Sequence, residues 1–243
     1  MTDYVLVMGG TRGLGRAIAE EAVGRKFMAV ASGRTADKIP AHQKGICLVT
    51  QDLTSAVDPL GEEARLFVAE QIPQYVFWVG GIFLKKRLAD CTPQEIARMT
   101  ATHYTGPVAA LAEIHRFAVR AAKPYHLVVI GSTSSYTIRE NESVYCSLKL
   151  AKAGFVRNFS RELARELPGS KTTLVNTGAM KTGFFAGTDI DTSHLLDPAG
   201  IACTIWERIV RQTALYDEYS IENGGDGSVP VFVEGIQPHD APF

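Results

Sequence analysis

The stretch Tyr4-Val-Leu-Val-Met8-Gly-Gly-Thr-Arg-Gly13-Leu-Gly15 decides the fold. Five apolar residues in a row, too few for a helix, read as a parallel strand covered on both faces. The glycines interrupt the run. Leu14, Ala17, Ile18 and Ala22 then recur at helical spacing up to Gly24, a helix-ending glycine. A strand, a glycine-rich turn and a helix open a βαβ unit. In an open parallel sheet, ligands bind beyond the carboxyl ends of the strands, where strand order reverses. Gly9 permits the tight turn, Gly13 admits a pyrophosphate to the backbone, and Gly15 lets the helix pack on the sheet. The amides at the helix start face the anion. A glycine string alone is a weak signal, which the strand before it and the helix after it strengthen.

The alternation continues outward. Short apolar runs at 27–31, 45–50, 75–79, 126–130, 172–176 and 229–233 alternate with amphipathic stretches. Asp58-Pro59 opens a helix carrying Ala64, Phe67, Val68 and Ile72. Thr92-Pro-Gln-Glu95 reads as a capping box before a helix with Ile96 and Met99 inward. Gly106-Pro107 breaks that helix and starts another. Leu148, Ala151, Phe155, Phe159, Leu163 and Leu167 form the longest apolar stripe, and Asp197-Pro198 caps a last helix. The expected architecture is α/β: a doubly wound, mostly parallel sheet of about seven strands with helices on both faces. Residues 1–243 are expected to form one domain.

Composition narrows the function classes. With 46% apolar and 21% charged residues the chain is globular. Its 25 basic and 26 acidic residues give a net charge of −1, with no long-range pull toward nucleic acid or anionic membrane. No apolar run reaches the roughly 18 residues of a membrane span, and MTDYVLVMGG lacks the features of a secretory signal. Cys47, Cys91, Cys146 and Cys203 form no CxxC pair, and His42, His115, His126, His194 and His239 have no clustered partners. A soluble cytoplasmic protein without a metal site is expected.

Two further stretches carry chemistry. The second strand ends in Ser32-Gly33-Arg34, with no acid before Asp37. A carboxylate there would bind an adenosine ribose and repel a 2′-phosphate. Arg12 and Arg34 instead suit a phosphate, so NADP(H) is preferred and NAD(H) remains possible. Tyr145-Cys-Ser-Leu-Lys149 puts a phenol and an ammonium on one helical face. The cation is expected to lower the phenol's pKa and make it a general acid or base. Ser132 lies just past the fifth strand, where its hydroxyl can hold a carbonyl oxygen.

With these residues together, residues 4 to 210 resemble the short-chain dehydrogenase/reductase family, in its shorter single-domain Rossmann branch. Gly9-xxx-Gly13-x-Gly15 is similar to the family's glycine motif, with Met8 where threonine is usual. Asp52-Leu53-Thr54 resembles the segment that meets adenine. Ser132 and Tyr145 keep the typical separation of 13, and Lys149 follows. The resemblance implies an NADP-dependent oxidoreductase acting on a carbonyl or alcohol of unknown identity. Its catalytic residues would be Ser132, Tyr145, Lys149 and His103. Its cofactor residues would be Gly9, Thr11, Arg12, Gly13, Leu14, Ser32, Arg34, Asp52, Leu53, Gly80, Gly81, Tyr145, Lys149, Gly178, Met180 and Thr182. Met180 would meet the nicotinamide amide by its backbone, and Thr182 by its hydroxyl. A homodimer or homotetramer through the helices around 107–122 and 145–167 is also implied.

Two departures from the family pattern stand out. Trp78-Val-Gly-Gly81 replaces Asn-Asn-Ala-Gly, and Val79 cannot tie neighbouring strands as the second asparagine does. His103 stands where asparagine usually fixes a water near the lysine. It either takes over a proton relay or sits in a structural role. Residues 183–196 are expected to form a substrate lid, with Phe184, Phe185, Leu195 and Leu196 as cover or as anchor. Ser134, Tyr136 and Arg139 would line the opposite wall. A cofactor-binding sensor with weak turnover is the alternative, motivated by the altered asparagines. A sugar epimerase or dehydratase would need a longer chain.

Overall fold

The computed structural model describes residues 3–36, 44–224 and 230–234, with the side chains of 231–234 excepted. Asp37, His42, His239 and Val229 lie outside the described residues. In chain order the elements are β1 (Tyr4–Met8), α1 (Gly13–Gly24), β2 (Met28–Gly33), β3 (Ile46–Thr50), α2 (Glu62–Glu70), β4 (Tyr75–Trp78), α3 (Pro93–Thr100), α4 (Gly106–Arg120), β5 (His126–Ile130), α5 (Ser143–Glu166), β6 (Lys171–Thr177), α6 (Pro198–Arg211), β7 (Tyr216–Asn223) and β8 (Pro230–Glu234).

They build one sheet in the order β3-β2-β1-β4-β5-β6-β7-β8. Seven strands run parallel, and β8 closes the edge antiparallel to β7. Strand order reverses between β1 and β4, which opens a crevice at their carboxyl ends. Alternate strand residues feed two cores. Tyr4, Leu6 and Met8 pack with residues of α2, α4 and α5, while Val5 and Val7 pack with α1 and α6.

The capping box and the N-cap form as the sequence implies. Thr92 Oγ1 accepts from Glu95 N, and Glu95 returns a bond to Thr92 N. Asp197 caps α6 through Gly200 N.

Four expectations need correction. The helix does not break at Gly106-Pro107. A π-helical segment, Ala101–Thr105, joins α3 to α4, and Gly106 N donates five residues back to Ala101 O. The wide turn absorbs the missing proline N–H. Gly106 is required for packing, since a Cβ there would lie 1.7 Å from Leu53 O. Ile96 is exposed, whereas Met99 faces the core. The buried face of α5 is Tyr145, Lys149, Lys152, Ala153, Val156, Phe159, Ser160 and Leu163, so Leu148 and Ala151 lie to its side.

The fourth concerns β7, which lies outside the apolar runs of the sequence. Its acids disguise it. Asp217 pairs with Arg208 of α6 at 2.8 Å and Glu218 with Arg157 of α5 at 2.8 Å, so each face is neutralised by its covering helix.

Candidate active site

A cleft of about 580 Å³ runs along the carboxyl ends of the parallel strands and collects most of the candidate residues. At one end is the turn after β1. Gly9 has φ 87°, and a Cβ there would fall 2.5 Å from Gly80 N and Cα. A Cβ on Gly15 would lie 2.1 Å from Gly9 O. Arg12, at the N-cap of α1, is extended, its side chain makes no capping bond, and no acid occupies the first turn. The leading amides of α1 are thus left for an anion. Backbone without side chains, free amides and two cations nearby fit a dinucleotide.

Those cations are Arg12 and Arg34, both exposed and both lining the cleft. Arg12 Nη2 donates to Thr35 Oγ1 at 3.1 Å. Ser32 stands behind the wall, not in it: it is fully buried, and its hydroxyl contacts Val7 O and Gln51 Oε1. Thr11, Leu14, Asp52, Leu53, Gly80 and Gly81 line the cleft. One Asp52 oxygen accepts from both Thr54 N and Thr54 Oγ1, which fixes the turn after β3. Gly178, Met180 and Thr182 line the far side, where Asn223 Nδ2 of β7 holds Ala179 O at 3.0 Å.

Deeper along the cleft Ser132, Tyr145 and Lys149 meet. Ser132 follows β5, and its Oγ accepts from Ser134 N at 3.1 Å. Tyr145 opens the inner face of α5 and is 5% exposed. Burial pushes its phenol above the ordinary value, while the Ser132 hydroxyl pulls the other way. This departs from the expected depression. The Lys149 ammonium lies 5.5 Å from the phenol ring centroid and donates to Gly131 O at 3.3 Å, so desolvation dominates. Burial brings Lys149 itself down to about 8.

His103 comes from the π-helical segment and does not line the cleft. It is fully buried against Gly81, where a Cβ would lie 2.8 Å from its Cε1. Nε2 lies 2.6 Å from Ile82 O and 3.1 Å from Ile82 N, and Nδ1 has no partner among the described residues. Burial, then the charges of Lys149 and Lys152, hold its pKa well below the usual value. The ring is a neutral clamp on the chain after β4. The strand tie lost with Val79 is made by backbone: Val79 N and Gly80 N both donate to Met8 O.

Beside Tyr145 the cleft is walled by Phe83, Phe184 and Phe185. Phe83 packs edge-on against Tyr145 at 5.1 Å and against Phe185 at 5.0 Å. Ser134 and Arg139 line the cleft, but Tyr136 does not, because its hydroxyl is held by Ser220 and Glu222 of β7. Leu196 is core, bridged to Met180, while Phe184, Phe185 and Ile190 face the cleft. Sequence reading missed Phe83, Glu142 and Lys152. The first two flank recognised motifs; nothing in the spacing marked the third. Among the described residues no cluster of His, Cys, Asp or Glu could hold a metal, and no helix is long and apolar enough to cross a membrane.

A sequence profile described as short chain dehydrogenase matches residues 3–193. The chain belongs to the short-chain dehydrogenase family. That match covers the glycine turn, Ser132, Tyr145 and Lys149, and ends before α6, β7 and β8. No curated protein sequence matches this family member. Solved structures that share its fold include the following three. An alcohol dehydrogenase from the archaeon Thermococcus sibiricus, complexed with 5-hydroxy-NADP, is 20% identical over 91% of this chain and 96% of that one, with a TM-score of 0.76. A short-chain dehydrogenase from Sphingobium yanoikuyae in complex with NADPH is 17% identical over 89% and 87%, with a TM-score of 0.75. A 4-hydroxyisoleucine dehydrogenase complexed with NADH is 14% identical over 93% and 98%, with a TM-score of 0.77.

Proposed function

We propose that this oxidoreductase transfers a hydride between NADP(H) and the carbonyl or alcohol group of a small molecule, with Tyr145 as general acid or base. The observation that carries this reading is that the uncapped start of α1 and the Ser132, Tyr145 and Lys149 side chains share one cleft. The amides of Gly13 and Leu14 would receive the pyrophosphate, Arg12 and Arg34 the 2′-phosphate, and Asp52 and Leu53 the adenine. Gly178, Met180 and Thr182 would hold the carboxamide. Similar folds have been found with NADP-type cofactors and with NADH. The two arginines favour the phosphorylated form.

When bound, the dinucleotide supplies or accepts the hydride. Tyr145 gives its phenolic proton to the carbonyl oxygen as the carbon is reduced, and takes a proton from the hydroxyl in the reverse direction. A phenol held above its ordinary pKa stays protonated at neutral pH, which suits carbonyl reduction. Ser132 steadies the oxygen, Lys149 sits beneath the phenol ring, and His103 positions Gly81 and Ile82. Residues 183–196 serve as the lid over a single domain, through Phe184, Phe185 and Ile190. Association through α4 and α5 belongs to the same reading, supported by the exposure of Val119 and Leu150.

The test is fluorescence titration with NADPH and NADH, followed by a panel of ketones and aldehydes. Tyr145→Phe is expected to keep NADPH binding and lose about 100- to 10,000-fold in turnover. NADPH binding with no Tyr145-dependent reaction on any compound would point instead to a cofactor-binding sensor.

A further inference from the structure

Glu142 is a largely buried residue whose carboxylate opens on the cleft and to which the reaction gives no task. It is 9% exposed, lines the cleft, and is close enough to Tyr145 to raise the phenol's pKa. Structural roles do not account for it. It occupies the N-cap position of α5, where its backbone carbonyl accepts from Cys146 N, yet its carboxylate caps nothing and has no hydrogen-bond or ion-pair partner among the described residues. Partial desolvation in the cleft raises its pKa above the usual carboxylate value, which is unfavourable for an unpaired charge. The loop nevertheless fixes it there. Asn141 takes the left-handed conformation (φ 60°), and its carbonyl accepts from Lys86 N, tying the loop to the segment that carries Phe83.

Arg139, three residues earlier, lines the same wall. Its Nη2 donates to Thr133 Oγ1 at 3.2 Å, and its other donors are unengaged by any carboxylate among the described residues. Glu142 feels both Arg139 and Lys85 electrostatically, but neither comes within ion-pair distance. The wall beside the phenol thus carries one negative and one positive group held apart. Phe83, Phe184 and Phe185 offer an apolar face close to the same phenol.

We propose that Glu142 and Arg139 select a zwitterionic substrate, a hydroxy or oxo amino acid with an apolar side chain. Glu142 receives the ammonium, Arg139 receives the carboxylate, and the three phenylalanines take the side chain. The proposal rests on the hydride-transfer reading above and names its substrate class. A ligand ammonium would give Glu142 the partner that the fold withholds, and a guanidinium fork suits a carboxylate.

The test compares four alcohols that share one phenyl carbinol: β-phenylserine, β-hydroxy-β-phenylpropanoate, β-hydroxyphenethylamine and α-methylbenzyl alcohol. Oxidation is followed as NADPH formation from NADP+, and binding as the melting shift of the protein in NADP+ with each compound. The expected result is a kcat/KM for β-phenylserine about 10- to 100-fold above that for β-hydroxy-β-phenylpropanoate, the size of one charge-assisted hydrogen bond. Glu142→Gln brings that ratio toward one and erases the extra melting shift. Arg139→Gln does the same for the ratio of β-phenylserine to β-hydroxyphenethylamine. Tyr145-dependent oxidation without preference for the aminated compounds, or a ratio that Glu142→Gln leaves in place, overturns this proposal and leaves the hydride-transfer reading standing. Absence of Tyr145-dependent oxidation across the four and across the ketone and aldehyde panel overturns both.

Discussion

Replacing Lys149 by methionine is expected to make the protein more stable while removing its activity. The side chain is 5% exposed, and burial lowers its pKa from 10.5 to about 8. At about 1.4 kcal/mol per pH unit, the charged form destabilises the fold by about 3 kcal/mol at neutral pH. Losing the bond to Gly131 O returns about 1 kcal/mol of that. A net gain of about 2 kcal/mol follows, or about 4–8 °C in Tm for a chain of this size. Relief of the neighbouring Lys152 ammonium, which Lys149 also repels, adds to it.

The sign with pH is fixed. Below about pH 8 both folded and unfolded chains hold the proton, and the full penalty applies. Between about 8 and 10.5 the unfolded chain keeps a proton that the native state has released, so wild-type stability rises with pH. The advantage of Lys149→Met must therefore shrink across that window and vanish above it. Urea unfolding at pH 7 and pH 10, read from the buried Trp78 and Trp206, measures both values. A variant less stable than wild type at pH 7, or equally stabilised at both pH values, refutes the reasoning.

Three other perturbations have expected outcomes. Arg12→Ala with Arg34→Ala should weaken NADPH about 10- to 100-fold by titration and leave NADH within about threefold, as loss of charged hydrogen bonds to one phosphate requires; a parallel loss for NADH would contradict it. Arg157→Met strands the Glu218 carboxylate, whose side chain is 1% exposed, and should cost about 3 kcal/mol in urea unfolding, the lower end of the range because Asn176 and Tyr216 still donate to it. Thr92→Ala removes the capping box of α3 and should cost about 1 kcal/mol; an unchanged denaturation midpoint would show that the π-helical junction, not the cap, holds that helix.

What the sequence reveals follows from how local each cause is. β1, the glycine turn and the caps at Thr92 and Asp197 depend on neighbouring residues alone, and they stand where the pattern puts them. β7 fails that reading because its burial depends on arginines 61 and 9 residues away. The junction at Gly106 fails because its cause, contact with Leu53 O, is tertiary. In α5 the apolar stripe misleads because the inward face spends two positions on lysines, and hydrophobic periodicity counts lysine as outside. Ser32 ends a strand at the right place, but the strand's alternation turns its side chain away from the cleft.

Those same lysines connect the two departures from the family pattern. Lys149 and Lys152 end on consecutive carbonyls, Gly131 and Ile130, at the carboxyl end of β5. Lys152, fully buried, has no carboxylate in contact among the described residues, and burial, then Lys149, hold its pKa well below the usual lysine value; its Nζ lies 4.4 Å from the ring centroid of Trp78, whose aromatic face offsets part of the cost of charging it. An asparagine at position 78 has no such face, so Trp78 and Lys152 are a single feature distributed over β4 and α5. One step further along the chain, Gly81 leaves room for the His103 ring, whose Nε2 donates to Ile82 O in one tautomer or accepts from Ile82 N in the other. A side chain from the π-helical segment thus pins the loop after β4 from outside, where the Asn-Asn pattern would pin it from within. Trp78, Val79 and His103 thus all bear on how one loop is held, and they leave the glycine backbone beside the cleft free of side chains.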